Sequence, residues 1–505
     1  MVLRVYQMIV PFLTRTAMIH IMGVQYLGLN SLFASIIQVL SLAELGVGHA
    51  MVYAMYKPIA RDDERTICAL MKLYRKYYRI IGLLIGAGGL LLMPVIPKLI
   101  SGDVPAELNV YVLYLLNLAA TVLSYWLFAY KNCLLQAHQR NDIVSWISAA
   151  TYTLQWSVQL TVLLIFHDYY LYLIISLVTQ VVNNVVSAMI VGRKYPKYKP
   201  SGKLEHEEIR VINQKIRDLF TAKLGSVVLK SSDTLVISAF MGLTALAIYQ
   251  NYFFMVSSVI SIIEIILSSM MAGLGNSYVL ESREKNFRDM EKFTFLFLWL
   301  TGMCSCCFLG MYQPFMEIWV GEELMLGMGE VACFAAYFFV YTLNRLLSIY
   351  KDAAGLWHED RFRPLLTALT NLLLNLLLIK FCGIYGVLLA TVITMGAIGM
   401  PWILHNVFTH FFEKAMLRDY LCQIVRYVLA TLAAGTLVCV ICGKIVAGQW
   451  TKLVLCGLVS FVVPNALFFA LFRKNRHFRA SVQFVDQVTK DKMHLERRLF
   501  GSKSK

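Results

Sequence analysis

LSLAELGVGHA, residues 40–50, lies inside an apolar run that begins near Leu27 and lasts to Tyr56. One carboxylate, Glu44, stands halfway along a segment otherwise suited to hydrocarbon. In a soluble core helix it would be a single satisfied polar group. In a membrane-spanning helix a charge at that depth is costly and rare, and it marks function by default. The rest of the chain decides between these readings. Of 505 residues, 58% are hydrophobic and only 15% charged, and the mean hydropathy is +0.63. An ordinary soluble domain carries about 25% charged residues. Apolar runs of about 18 or more residues recur from end to end, which is the signal of membrane-spanning helices. The pattern predicts an all-α polytopic membrane protein.

Fourteen spans are expected, at 2–22, 28–56, 80–100, 108–130, 144–166, 169–191, 218–240, 245–276, 293–319, 331–350, 364–381, 384–408, 420–443 and 451–472. The loops between them test the count. Lys57, Arg61, Arg65, Lys72 and Arg75 crowd one loop, Arg193 to Arg217 a second, and Arg283 to Lys292 a third, and the tail after Leu471 is strongly basic. The alternate loops are short and lack Lys and Arg: VQYL, SGDVPAE, HDYY, GLT and GEELMLGMGE. This is the positive-inside bias, and it predicts that both termini are cytoplasmic. Asp103, Asp168 and Glu323 should then lie outside. The net charge of +16 belongs to topology and anionic headgroups rather than to nucleic acid. No loop is long enough for a catalytic domain, so no enzyme activity is expected, and no cofactor. Of 11 cysteines only Cys304, Cys306 and Cys307 cluster. They lack partners at ligand spacing, so a metal site is not expected.

The chain also carries a weak internal repeat. IMGVQYLGL at 21–29 and FMGLTALAI at 240–248 share a Met-Gly pair, and LGVGHAMVY at 45–53 pairs with AGLGNSYVL at 272–280. Six spans per repeat give two halves of the same orientation, an arrangement used by transporters with the path between the halves. The expected organisation is an N-terminal six-helix lobe at 1–192, a basic linker at 193–217 and a second lobe at 218–410. Two extra helices at 411–473 and a basic tail at 474–505 follow.

YLGLNSLFASIIQVLSLAELGVGHAMVYAMYKPIA, the following YRKYYRIIG, and SSDTLVISAFMGLTALAIYQNY resemble bacterial polysaccharide-export flippases. These belong to the multidrug/oligosaccharidyl-lipid/polysaccharide exporter superfamily. The resemblance implies two six-helix lobes and outward movement of an undecaprenyl-diphosphate-linked oligosaccharide across a bacterial plasma membrane. Polysaccharide polymerases and glycosyltransferases of the same pathway are implied as partners. A cation-coupled exporter of small molecules from the same superfamily is the alternative, and a membrane enzyme of polysaccharide assembly a more distant one.

Ionisable residues inside the spans are the candidate site. Arg15, Lys230 and Arg345 suit an anionic diphosphate, which Arg grips through paired hydrogen bonds and Lys as a point charge. Arg15 also lies near enough to a span end to snorkel. Lys230 and Asp233 are three residues apart on one helix face and can neutralise each other. Glu44, Asp233 and Glu264 are candidates for gating or ion coupling. For Glu44 the readings are a fixed ion pair, with Arg15 as one partner, or carriage of a coupling proton. Lys223 reads as an interfacial topology residue. Trp126 and Tyr252 are candidates for stacking on sugar rings.

Overall fold

The computed structural model describes residues 2–44, 46–102 and 104–488. Asp103 and the tail beyond residue 488 lie outside the described residues. Among those described, the chain is mostly helical and has no strands.

The elements are α1 Val2–Ile21, α2 Val24–Leu40, α3 Val47–Ala60, α4 Glu64–Leu92, α5 Val110–Trp126, α6 Asn132–Ala137, α7 Asn141–Ile165 and α8 Tyr169–Lys194. Then follow α9 His206–Leu280, α10 Arg283–Val320, α11 Met328–Ala353, α12 Arg363–Thr394, α13 Met400–His410, α14 Lys414–Gly443, α15 Gln449–Phe472 and α16 Arg476–Val488. Nine described helices are long and apolar enough to cross a membrane, or ten if the bent pair of α5 and α6 is one span. Two of these are too long for one crossing, at 58 and 48 residues, and each is interrupted by a glycine outside helical geometry, Gly242 in α9 and Gly383 in α12. Splitting both, and adding α1 and α7, gives the fourteen segments expected. Helix α7 falls below the apolar threshold because Ser148, Thr151, Gln155 and Gln159 run along it.

The repeat is written in the backbone. Gly23 and Gly242 open the second helix of each half and both have positive φ, 109° and 86°. Gly102 and Gly321 turn the chain after the third helix of each half, at 82° and 83°. Both pairs are separated by the same 219 residues, from 23 to 242 and from 102 to 321. Left-handed geometry at matched positions is a stronger repeat signal than the shared letters, because only glycine enters it freely.

The chain divides into two compact units, one comprising Met1–Gln250 with Pro364–Gly383, the other Asn251–Arg363 with Ile384–Lys505. In the first, α4 packs on α5, and α7 and α5 pack on α8. Leu118 closes directly over Gly89, and the Tyr114 hydroxyl donates to the Gly89 carbonyl at 2.9 Å. In the second, α10 is the central helix, flanked by α11, α14 and α15. Gly302 lies under Thr431, and Gly310 under Ser460 and Val438. Between helices surrounded by lipid, such close approach at small residues supplies the dispersion contact that holds the pair, since hydrocarbon offers no hydrophobic drive.

Candidate functional site

The site begins where the second helix breaks. Helix α2 ends at Leu40, the chain tightens into a 3-10 turn over Ser41–Glu44, and α3 starts at Val47. Gly46 sits between them with φ 90°, in the left-handed region. A Cβ there would stand 2.7 Å from Leu219 Cβ and 3.0 Å from the Ile216 carbonyl oxygen, both on α9. The glycine is required twice, by its dihedral and by its neighbour.

The break turns Glu44 toward α4 and α5. Its Oε1 accepts from the Tyr78 hydroxyl at 2.9 Å and its Oε2 from the Tyr125 hydroxyl at 2.8 Å. Tyr74 donates in turn to the Tyr78 oxygen at 2.6 Å. The Tyr74 and Tyr78 ring centroids are 4.3 Å apart, and Tyr125 meets Tyr78 edge-on at 5.3 Å. His49 on α3 and Lys223 on α9 lie within electrostatic range of the carboxylate. Lys223 thus belongs to the surroundings of Glu44, beyond the topology role expected of it. No ion pair forms on Glu44 among the described residues; neutral hydroxyls hold it. The expected partner Arg15 is elsewhere: its guanidinium donates to the Gln250 carbonyl at 2.8 Å, which ties α1 to α9 instead of snorkelling.

A second cluster in the same unit surrounds Asp233. Tyr249 donates to its Oδ2 at 3.3 Å and the Asn375 amide to its Oδ1 at 2.6 Å. Asn375 and Asn371 are fully buried, and the Ser232 hydroxyl donates to Asn371 at 3.2 Å. The Asn375 Oδ1 has no hydrogen-bond partner although it is buried, which is uncommon for a polar atom away from water. Lys230, one turn before Asp233 on the same helix, is exposed.

The second unit repeats the construction of the first. The Tyr341 hydroxyl of α11 donates to Glu264 Oε1 at 3.1 Å, and Arg345 Nε approaches the same oxygen at 3.4 Å. The 219-residue shift carries Glu44 to position 263, beside Glu264, and Tyr125 to 344, within one turn of Tyr341. Each half therefore sets a carboxylate from its second helix against a tyrosine from its fourth. The halves differ in two ways: Glu264 has an arginine, and its helix runs unbroken.

The aromatic candidates part company. Trp126 is 48% exposed, with its indole N–H donating to the Arg79 carbonyl at 3.2 Å. Tyr252 is fully buried, stacked on Phe334 and edge-on to Tyr312, with its hydroxyl bound to Gln313 and to the Leu326 N–H. It is a packing residue with no ring face to offer a sugar. Two ionic clusters were not foreseen. Asp360 takes a bidentate grip from Arg363 at 2.6 and 2.8 Å and a bond from Lys351 at 2.9 Å, all three largely buried. Glu291 on α10 is buried between Gln423 and Arg476. Asp360 lies in the HEDR stretch at 358–361, and its partner Lys351 sits outside it.

No protein-family model matches the chain, and no curated protein matches its sequence. Solved structures do match its fold. The lipid II flippase MurJ in an inward closed conformation superposes with TM-score 0.68 at 14% identity, over 94% of this chain and 98% of that one. An inward-facing multidrug resistance MATE transporter of the MOP superfamily gives 0.62 at 12% identity, over 82% and 95%. The Vibrio cholerae MATE transporter VcmN, as a mutant, gives 0.54 at 15% identity, over 80% and 93%. The fold is the one these flippase and transporter structures share, a multi-pass helical membrane architecture.

Proposed function

We propose that the protein is a flippase that moves an undecaprenyl-diphosphate-linked oligosaccharide from the cytoplasmic to the outer leaflet of a bacterial plasma membrane by alternating access. The observation that carries this reading is the extent of the fold match. Likeness to the lipid II flippase covers 94% of the chain, against 82% for the first MATE transporter, and the difference is close to the length of α14 and α15 together. A diphosphate cannot cross bare lipid, because an unpaired charge there costs several kcal/mol or more. Arg15 and Arg345, cations held inside spans by polar partners, supply the compensating charge, and the acyl chain stays in the bilayer while the head moves. In this reading the termini face the cytoplasm, and polymerases and glycosyltransferases of the same pathway are its partners. Asp233, with Asn371 and Asn375 beside it, offers an oxygen-rich place for a coupling cation, the feature that favours a cation-coupled small-molecule exporter as second reading.

The test is surface polysaccharide in cells lacking the native gene. Arg345→Ala should abolish or severely weaken export at normal protein level, and Arg345→Lys should retain part of it, since charge survives but the fork is lost. Full export by stably expressed Arg345→Ala, Arg15→Ala and Lys230→Ala variants would remove the cationic mechanism.

A further inference from the structure

The charges that bound the last two apolar helices of the second unit meet at one place. Residues 427–442 of α14 carry no charged side chain, and Arg426 immediately precedes them. Residues 453–472 of α15 carry none either, and Arg473 and Lys474 immediately follow. The two boundaries coincide in space, because the rings of Tyr427 and Phe472 lie 5.2 Å apart and edge-on. Arg476, at the start of α16, joins them. Its guanidinium donates to Glu291 Oε2 at 3.1 Å, yet its side chain stays 71% exposed. Arg426 and Arg476 both act on Tyr427 through space. Arg426, Arg473 and Lys474 are exposed as well, and among the described residues no ion pair holds any of the three. The nearby carboxylates are Asp419 and the buried Glu291, which Arg476 and Gln423 already bind. Cations thus outnumber acids where both apolar runs end. Beside Arg426 on the same helix, Val425 and Leu429 are more than half exposed.

We propose that this corner of α14, α15 and α16 is a binding site for the phosphate of an anionic glycerophospholipid in the adjoining leaflet. A guanidinium at the edge of hydrocarbon is costly without a counter-charge, and the anion present at that depth is a lipid phosphate. Basic pockets between the ends of membrane helices bind headgroups in this way. Arginine suits the task, because its planar fork makes two parallel bonds to phosphate oxygens. Arg426 and Arg473 grip from two helices, Lys474 adds a point charge, and Glu291 fixes Arg476 from the buried side. The acyl chains lie along Val425 and Leu429. Cations that serve topology alone need no such convergence. Arg283 and Lys285, at the start of α10 in the same unit, are exposed, and Lys285 is already paired with Glu281. The site stands independently of which cargo the protein moves.

The melting temperature of the purified full chain in neutral detergent, followed as dioleoylphosphatidylglycerol is added, tests the site. It should rise and saturate, while dioleoylphosphatidylcholine and inorganic phosphate at equal concentration leave it level. In the double variant Arg426→Gln/Arg473→Gln, read against its own lipid-free value, the half-saturating phosphatidylglycerol concentration should increase at least about ten-fold. Arg426→Lys/Arg473→Lys keeps the charge and loses the fork, and should fall between the two. Arg283→Gln/Lys285→Gln, which removes the same charge elsewhere in the unit, should respond as the wild type does. A response to phosphatidylcholine or to inorganic phosphate equal to that for phosphatidylglycerol would overturn the proposal. So would an unchanged half-saturation in Arg426→Gln/Arg473→Gln, or an equal loss in Arg283→Gln/Lys285→Gln. A stronger response to undecaprenyl diphosphate, lost in Arg426→Gln/Arg473→Gln, would overturn it too, since the corner would then belong to the cargo.

Discussion

Two carboxylates, each on the second helix of its half and each met by a tyrosine of the fourth, are held in opposite ways. Glu264 is met by a cation and a hydroxyl within 3.4 Å, whereas Glu44 is bonded by two hydroxyls, with Lys223 and His49 acting on it only through space. An ion pair tolerates change of pH and of local geometry better than a pair of neutral donors does, because its strength is mainly Coulombic and only weakly directional. The first half thus carries its acid at a helix break, and the second carries it on an intact helix beside an arginine.

The largest expected effect tests the reliance of the second unit on ion pairs. Asp360→Ala leaves Lys351 and Arg363 buried without their shared carboxylate, a loss of about 3–5 kcal/mol. It should appear as a sharp fall in melting temperature in detergent and in the amount of folded protein recovered. A melting temperature equal to wild type would show that this unit does not depend on its ion cluster.

A smaller effect belongs to the first unit. Gly46→Ala forces a side chain into left-handed geometry and against Leu219, at a cost of about 1–3 kcal/mol. The break at α2 and α3 should shift, and proteolysis or hydrogen exchange near residue 50 should increase. Wild-type protection in this variant would mean that the break is not built on the glycine.

A pair of effects, one comparable and one smaller, sharpens the comparison itself. Tyr125→Phe removes one of the two donors on Glu44, about 1.5–3 kcal/mol for a bond to a charged group. Tyr341→Phe leaves Glu264 with Arg345, in a partly exposed setting that screens the change, and should cost about 1 kcal/mol or less. Equal losses in paired melting experiments would erase the distinction between the halves.

Much of this architecture was legible from the residues. Hydropathy runs and the alternation of basic loops located fourteen segments, and the Met-Gly pairs marked the repeat, because each depends on neighbours in sequence or on a fixed period. Glu44 stood out because a lone charge in an apolar run is conspicuous. Its partners did not stand out. Tyr78 and Tyr125 lie 34 and 81 residues away, and in a chain with 27 tyrosines nothing local distinguishes the two that bind from the many that anchor at interfaces. The same limit hid the link from Arg345 to Glu264. It also made Tyr252 look available, since its burial is decided by Tyr312 and Phe334 on α10 and α11. Asp233 has a partner more distant still in sequence, Asn375 on α12, 142 residues away.

Reconstitution measures the proposed translocation of a diphosphate-linked glycan without the rest of the pathway. Purified protein in liposomes containing a fluorescently labelled undecaprenyl-diphosphate oligosaccharide should expose inner-leaflet label to an external quencher or glycosidase faster than protein-free vesicles do. Arg345→Ala, reconstituted to the same level, should fall to the protein-free rate. Wild-type vesicles no faster than protein-free ones would contradict the account, most plainly if the same vesicles extruded a small organic cation against a proton or sodium gradient.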